Sequence, residues 1–384
     1  MSVVAPAAAH VRDAVARLAP ALVALSHDLH AHPEPAWAEH RSSRRLAEFL
    51  ARAGLDVDLP AHGLPTAFRA RGGTSGPLVV LCCEYDALPG LGHGCGHNVV
   101  AAAAAGAAAV LAPLSGGAGG RVVALGTPAE EGGGGKIELL RRHAFDGASA
   151  ALLAHPGPHD QVRASFRAAA SSRVRFHGRA AHAAMAPARG RNALDAAVLA
   201  YQAIAAARSG MDLTDQVTAV LVRGGTAPNV VPEVAELRVM ARATTTPGLD
   251  RLASVVERSA RAGALATGCM ARVVPDGPVY RELRTDRRLA ASLERHLRVL
   301  GRPPRPADPR DLVRAGSTDL GNVSHVVPVA HPKLAIGDVV PHSRAFTEAA
   351  ASAAGDRAVL DGAALLALTV LDVWAARQPE GEPS

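Results

Sequence analysis

The feature that most constrains the fold is an alternation of short apolar runs and helical segments between residues 77 and 154. The apolar runs are continuous, which is typical of strands buried on both faces of a parallel sheet. The predicted elements are a strand at Pro77–Cys83, a helix at Asn98–Leu111, a strand at Arg121–Leu125, a helix at Lys136–His143 and a strand at Ala150–Ala154. This order predicts an α/β fold with a parallel or mixed sheet flanked by helices.

A different pattern begins near residue 168, where the strands alternate apolar and polar residues and so predict a sheet with one solvated face. The elements are strand Ala170–Phe176, helix Asn192–Ala206, strands Gln216–Val222 and Glu233–Ala243, and helix Leu249–Ala264. Helices are also predicted around Val15–Leu25 and at Arg41–Ala53, Leu289–Leu300 and Ala358–Arg377. We therefore expect a discontinuous main domain, residues 1–167 and 283–384, with a ferredoxin-like α+β domain inserted at 168–282. The last eight residues are expected to be a frayed tail.

Composition excludes several classes of protein. The chain has 384 residues and a net charge of +6, but only two of its 41 basic residues are lysines, no run of five basic residues occurs, and aromatic residues are few. We expect no nucleic-acid binding. The apolar stretch Val99–Leu114 contains Gly106 and Pro113 and is predicted to be too short to span a membrane. The four cysteines do not resemble a disulfide framework and the first thirty residues do not resemble a signal peptide, so we expect a cytoplasmic protein.

Candidate metal ligands fall where the predicted strands end. They are Glu84 and Asp86 after the first strand, Cys95 and His97 in the following loop, Glu130 and Glu131 after the second strand, and His155 at the end of the third. Because ligands bind outside the carboxyl ends of parallel strands, we expect these groups to converge. Thiolate, imidazole and carboxylate together suit zinc or a similar divalent ion.

Each signal has a structural alternative when taken alone. Cys95 can be a buried cysteine beside a glycine turn, Glu130 and Glu131 can begin a solvated helix, and His155 can be a satisfied strand-end residue. The joint occurrence at three successive strand ends favours the metal site. His93 and His331 have no such claim and are interpreted as structural.

The motifs resemble those of the M20 metallopeptidase family, which includes aminoacylases, carboxypeptidase G and the hippurate and auxin-conjugate amidohydrolases. The matching segments are Leu29–Glu34, Glu84–Pro89, Gly92–Asn98, Pro128–Gly132, Gly178–Ala184, Gly225–Pro232, Gly316–Ser324 and Pro341–Ser343. They occur in the family's order from about residue 20 to residue 350. Asn98 together with the segment from Gly316 to Asp319 is more similar to the aminobenzoyl-glutamate hydrolase and β-alanyl dipeptidase branch.

The resemblance implies roles for residues of the main domain. One or two divalent ions, zinc with manganese or cobalt as alternatives, would be bound by Cys95, His97, Glu131, His155 and His342. Glu130 would be the general base, which takes a proton from the attacking water and returns it to the leaving amine. Asp86 would orient a ligand imidazole, with a helix-capping or turn aspartate as its structural alternative.

In the inserted domain the resemblance implies a substrate-binding set. His182 would reach into the active site of a partner subunit and stabilise the oxyanion. Asn229 and Arg242 would grip the substrate carboxylate, although Arg242 could equally be a surface residue. We therefore expect a homodimer that cleaves the amide bond of an N-acyl amino acid, a dipeptide or an aminobenzoyl-glutamate-like substrate. The alternatives are a non-hydrolytic binding or regulatory subunit of the same fold, a structural or redox zinc protein that uses Cys95, and a nucleic-acid binder.

Overall fold

The structure is a computed structural model that describes residues 4–115 and 119–376. The described residues form two compact units, the first within 1–164, 284–307 and 322–384, and the second comprising 165–283 and 308–321. Residues 308–321, which the predicted boundaries assign to the first unit, pack with the second. The predicted tail and the predicted helix end at Arg377 lie outside the described residues.

The elements are numbered in chain order. Among the described residues the helices are α1 Val4–Ala31, α2 His40–Arg52, α3 His97–Leu111, α4 Gly135–Arg141, α5 Ala193–Ala207, α6 Thr246–Thr267, α7 Arg287–Val299, α8 Arg310–Val313, α9 Leu320–Val323, α10 Arg344–Ala350 and α11 Ala353–Ala375. The strands are β1 Asp56–Asp58, β2 Arg69–Gly72, β3 Leu78–Cys83, β4 Arg121–Gly126, β5 Ala148–Leu152, β6 His155–Gly157, β7 Ala168–His177, β8 Gln216–Arg223, β9 Val234–Ala243, β10 Met270–Pro275, β11 Val329–Ala330 and β12 Lys333–Ala335.

The first unit is built around a mixed six-stranded sheet with the strand order β1-β2-β4-β3-β5-β11. The pairs β3–β4, β3–β5 and β5–β11 are parallel, while β1 and β2 extend the sheet with antiparallel pairs. Strand β3 is buried along its length apart from its half-buried first residue, as the continuous apolar run predicts. The predicted α/β fold with a mixed sheet is confirmed.

The third predicted strand differs in its ending. Strand β5 ends at Leu152, and His155 begins β6, which pairs in parallel with β12 in a separate two-stranded sheet. The prediction that His155 ends the third strand was wrong in this detail. The backbone changes partner here, since the amide of His155 donates to Pro332 O, next to β12, while Ala151 donates to Pro328 O, next to β11.

Helix α3 lies in the core of the first unit and packs against α1 and α11. Gly106 lies within α3 and does not interrupt it. Its missing side chain makes room for α1, since a Cβ there would lie 2.8 Å from Leu22 Cδ1. The segments His97–Leu114 and Ala353–Ala375 are long and apolar enough to cross a membrane by composition alone, so the expectation that the first is too short was wrong. Their most apolar windows are 83% and 67% buried inside the protein, as in core helices.

The second unit contains a four-stranded antiparallel sheet with the strand order β10-β7-β9-β8. Its elements follow one another as β7, α5, β8, β9, α6 and β10, which is the ferredoxin-like order. Strand β10 completes the sheet and was not predicted from the sequence. Inward residues such as Val174, Phe176 and Leu237 pack with α5 and α6 in a separate hydrophobic core. This sheet confirms the predicted α+β character of the insertion.

Candidate metal centre

The loop between β3 and α3 brings Cys95 and His97 to the carboxyl end of the sheet. Gly96 lies between them with a left-handed backbone, φ 74°, and caps α3, so that His97 occupies the first turn of the helix. A Cβ at Gly96 would collide with the ring of Pro156. Glycine therefore fits this position on two counts, backbone conformation and close approach.

His97 is fully buried and is held by Asp86. Its Nδ1 donates to the carbonyl oxygen of Asp86 at 2.8 Å and to Asp86 Oδ1 at 3.0 Å. With Nδ1 bonded to Asp86, Nε2 is the ring nitrogen that faces the carboxylates of Glu84, Glu130 and Glu131, whose nearest oxygens lie at 3.6, 3.8 and 4.0 Å. A histidine oriented by a carboxylate in this way is the usual form of a metal-ligating imidazole.

Glu130 and Glu131 lie in the turn after β4, and hydrogen bonds hold this turn in place. Ala129 has a left-handed backbone at φ 57°, an uncommon conformation for a residue with a Cβ, and its amide donates to Oε1 of the buried Glu39 at 2.8 Å. The amide of Glu131 donates to Asp86 Oδ2 at 2.9 Å. These two bonds fix the backbone on both sides of Glu130. Backbone strain of this kind persists where the surrounding structure imposes it, often at functional sites.

The remaining predicted ligands lie around Cys95. His155 Nε2 is 3.6 Å from Cys95 Sγ, and His155 Nδ1 donates to the carbonyl oxygen of Pro156 at 2.7 Å. His342 has a left-handed backbone at φ 63°, and its Nε2 lies 3.5 Å from Glu131 Oε2. Ligand atoms fall within 4.8 Å of one another in three groups: Cys95 with His97 and His155, Cys95 with Glu131 and His342, and His97 with Glu130 and Glu131. The structure thus brings together all five predicted ligands, Glu130 and Asp86.

Two buried atoms of this cluster, His97 Nε2 and Glu131 Oε1, make no hydrogen bond among the described residues. Leaving such atoms without a partner is costly, and a metal ion would satisfy both. The donor set of one thiol, three imidazoles and a carboxylate also suits zinc or a similar divalent ion. The residues present therefore fit a metal centre.

The pKa directions of the ligands indicate which protons a metal ion must displace. Burial disfavours the charged form of His97, but the Asp86 carboxylate and Cys95 outweigh it and raise the pKa of His97 well above its ordinary value. Burial would raise the pKa of Asp86, yet His97 and the Glu131 amide lower it. Burial lowers the pKa of His155 to about 4, which keeps this imidazole neutral and able to act as a ligand. Burial also raises the pKa of Cys95, so metal binding must displace its proton.

Sequence reasoning missed three neighbours of this site. Glu39 holds the Ala129 turn, and the fully buried Lys136 places Nζ 2.6 Å from Glu84 Oε1. His331, interpreted as structural, stacks on His155 with ring centroids 5.3 Å apart. No motif marks Glu39 or His331, but the near absence of lysine from the chain is a signal that could have singled out Lys136.

The predicted residues of the second unit fall at two places. His182 is exposed and pairs through its backbone with Val230, next to Asn229, so His182 and Asn229 lie together. Arg242 is at the far end of β9, half-buried, and donates from Nη1 to Ser317 Oγ at 2.9 Å. Arg242 is eight residue positions after Val234 along extended strand, a span of about 27 Å. Asn229 lies outside this strand, before its Val234 end, and the joint grip of Asn229 and Arg242 on one carboxylate stays a prediction.

The fold and the site together define a metal-dependent hydrolase, with a ligand cluster at the carboxyl ends of a mixed sheet. A family model described as a peptidase dimerisation domain, M20_dimer, matches residues 165–263. A dipeptidase of Mus musculus, "Xaa-Arg dipeptidase", is 39% identical over 96% of this chain and 88% of its own length. The chain belongs to the M20 peptidase family and is a metallo-hydrolase.

Two more distant similarities agree with this assignment. One of the chains of p-aminobenzoyl-glutamate hydrolase from Escherichia coli is 34% identical over 62% of this chain and 53% of its own length. A solved structure described as a dinuclear metal binding peptidase from the M20 family, from Bacillus subtilis, has a TM-score of 0.72 at 20% identity and covers 93% of this chain and 99% of that one. At this level of identity the solved structure supports the fold alone.

Proposed function

We propose that this chain is a metal-dependent dipeptidase that releases a C-terminal amino acid with a basic side chain. The placement of Glu130 beside a complete ligand cluster carries the hydrolytic part of the proposal. The substrate class is supported by the identity of 39% with an Xaa-Arg dipeptidase over nearly the whole chain. Aminobenzoyl-glutamate hydrolysis is the second candidate, favoured by the 34% identical relative from Escherichia coli.

Glu130 is the general base of the proposed reaction. Its carboxylate takes a proton from the attacking water and delivers it to the leaving amine as the amide bond breaks. Glu131 and His97 would bind the metal, and Asp86 orients the His97 ring through its contact with Nδ1. A divalent ion bound by these residues would polarise the scissile carbonyl and acidify the water.

The ligand groups support a site for two ions. Cys95 belongs both to the group with His97 and His155 and to the group with Glu131 and His342. Each group would hold one ion, and Cys95 lies within reach of both. We propose zinc as the metal, because a thiolate and imidazoles are present, with manganese and cobalt as alternatives.

The second unit supports a homodimer. Strand β8 is an edge of its sheet, and its last residues Val220, Leu221 and Val222 are exposed, as are Val198, Leu199 and Tyr201 on α5. An apolar edge of this kind is unusual in a protein that works alone. In such a dimer Asn229 and His182 of one chain would act with Arg242 of the other. Among the described residues the four cysteines form no disulfide, which supports a cytoplasmic location.

The proposal is tested with a matched set of amides. The purified protein is stripped with a chelator and reconstituted with zinc, manganese or cobalt, and it is then offered Ala-Arg, β-Ala-Lys, Ala-Glu, N-acetyl-arginine and aminobenzoyl-glutamate. We expect metal-dependent release of arginine or lysine from the first two. Preferential cleavage of aminobenzoyl-glutamate would establish the second candidate. Absence of hydrolysis with every metal would refute both and favour a non-hydrolytic binding protein.

A further inference from the structure

The chain uses lysine at only two positions, although it has 41 basic residues. Arginine serves at all the others, including the largely buried Arg167 of the second unit. Lysine and arginine are not interchangeable, since lysine carries a compact point charge and arginine a planar fork with five donors. In a chain that so strongly favours arginine, the contacts of each lysine are therefore of interest.

Both lysines lie in the first unit, near the metal-ligating residues. Lys136 is in the first turn of α4, five residues after Glu131, and Lys333 of β12 is paired with His155 of β6. Lys136 is the stronger case because its side chain is fully buried, whereas Lys333 is half-buried. A buried lysine is rare unless it is paired with an acidic group.

The acidic group is Glu84, which is itself only 1% exposed. Lys136 Nζ lies 2.6 Å from Glu84 Oε1, and the other carboxylate oxygen, Oε2, lies 3.6 Å from His97 Nε2. His97 Nε2 is the buried nitrogen that makes no hydrogen bond among the described residues and that faces the ligand cluster. Glu84 therefore lies between Lys136 and the ligand cluster, with Oε1 toward Lys136 and Oε2 toward His97.

This arrangement balances charge around the metal centre. Glu84, Asp86, Glu130 and Glu131 all approach the His97 ring. The carboxylates of Glu84 and Asp86 are fully buried and are costly without a nearby cation. Lys136 supplies a cation behind Glu84, at the carboxylate oxygen that does not face His97 Nε2. A guanidinium is wider than an ammonium and would have to displace Glu84, because Lys136 Nζ already lies 2.6 Å from Glu84 Oε1.

We propose that Lys136 is a positioning residue of the metal centre, whose ammonium fixes the Glu84 carboxylate beside His97 Nε2 and so strengthens metal binding. This inference rests on the proposed function, because it takes His97 as a metal ligand. It goes beyond the proposed function by adding Glu84 and Lys136 to the machinery and by requiring lysine, and not arginine, at position 136.

The experiment measures metal binding directly. Metal-free wild type, Lys136→Arg and Lys136→Met are titrated with zinc alone by calorimetry, and the bound metal is counted by elemental analysis. We expect zinc affinity to fall about 10–100-fold in both variants, the loss typical for partners that orient ligands. The cobalt forms of both variants should also show altered d–d absorption. If Lys136 only stabilised the fold, its replacement would leave that absorption unchanged.

A matched control lies on the same helix. Arg141→Lys makes the reverse exchange at an exposed position that pairs with Glu138, and it should bind zinc like the wild type. If Lys136→Met fails to fold, the uncharged pair Glu84→Gln/Lys136→Met replaces it, because an isosteric neutral pair avoids an unpaired buried charge. That double variant should fold and bind zinc at least about tenfold more weakly.

Two outcomes would overturn the inference, and they are distinguishable. Wild-type zinc affinity and wild-type cobalt spectra in Lys136→Arg and in the double variant would show that Lys136 is a structural ion pair, while the proposed metal site stands. A wild-type protein that binds no zinc, manganese or cobalt would refute the proposed function and this inference with it.

Discussion

We propose different tasks for the adjacent residues Glu130 and Glu131, because both approach His97 but only Glu131 also approaches His342. Glu131 Oε2 lies 3.5 Å from His342 Nε2, within the ligand cluster, while Glu130 Oε2 lies 3.8 Å from His97 Nε2. We expect Glu130→Gln to retain metal and to lower kcat about 10²–10⁴-fold, since a general base is removed. Glu131→Gln should lose metal instead. Elemental analysis and steady-state kinetics on both variants check this pair, and substantial turnover by Glu130→Gln would exclude it as the base.

Asp86 has both oxygens engaged, one by His97 and one by the backbone amide of Glu131. Replacement by asparagine would set its NH₂ group against one of these donors, so His97 or the Glu131 turn must move. We expect Asp86→Asn to weaken zinc binding about 10–100-fold. Asp146→Asn, at an exposed position beside His143, serves as the control. Unchanged zinc affinity in Asp86→Asn would show that Asp86 stabilises the turn without affecting metal binding.

Residue types reveal ligands better than they reveal the residues that position them. The convergence of Cys95, His97 and Glu131 could be predicted because these residue types follow successive strand ends. Lys136 could not be predicted to be buried from its own identity, since lysine is almost always exposed. Its burial depends on Glu84, far earlier in the sequence, and only the fold brings the two together.

The glycine run after Glu131 allows the turn that carries Glu130 to pack closely against neighbouring backbone. A Cβ on Gly135 would overlap Pro128 O, whereas one on Gly132 would meet nothing within 4 Å. We therefore expect Gly135→Ala to lower the melting temperature and kcat together, because the turn that carries Glu130 must shift. Gly132→Ala, in the same run, should change neither by much. Thermal melts and kinetics compare the two, and equal behaviour would mean that the run is only a flexible linker.

Elements with continuous patterns were predicted closely, and those defined by distant partners were not. Strand β3 begins one residue later than predicted and ends at the predicted Cys83, since its apolar run fills both faces. The division between β5 and β6 was missed because it arises from a change of partner, from β11 to β12. Strand β10 was missed because its residues are largely exposed or half-buried, so they lack a clear apolar stripe.

At the scale of the whole molecule, the second unit separates two sets of substrate-binding candidates. His182 and Asn229 lie beyond the Val234 end of β9, and Arg242 lies at the other end. Edge strand β8 offers an exposed apolar surface for a second copy. We expect Leu221→Asp to convert a dimer into monomers with little change in melting temperature, as measured by analytical ultracentrifugation. A wild-type protein that is monomeric at micromolar concentration would contradict this.

A shared site between two copies is tested by mixing inactive variants. His182→Ala and Glu130→Ala each disable every site of their own homodimers. If His182 acts in the partner's site, a mixed dimer contains one site with both residues intact, so random exchange restores about one quarter of all sites. Mixing Glu130→Ala with Glu131→Gln should restore none, because both defects lie in the metal-binding part of each site. Native mass spectrometry confirms that mixed dimers form, and mixed dimers without activity would show that each chain completes its own site.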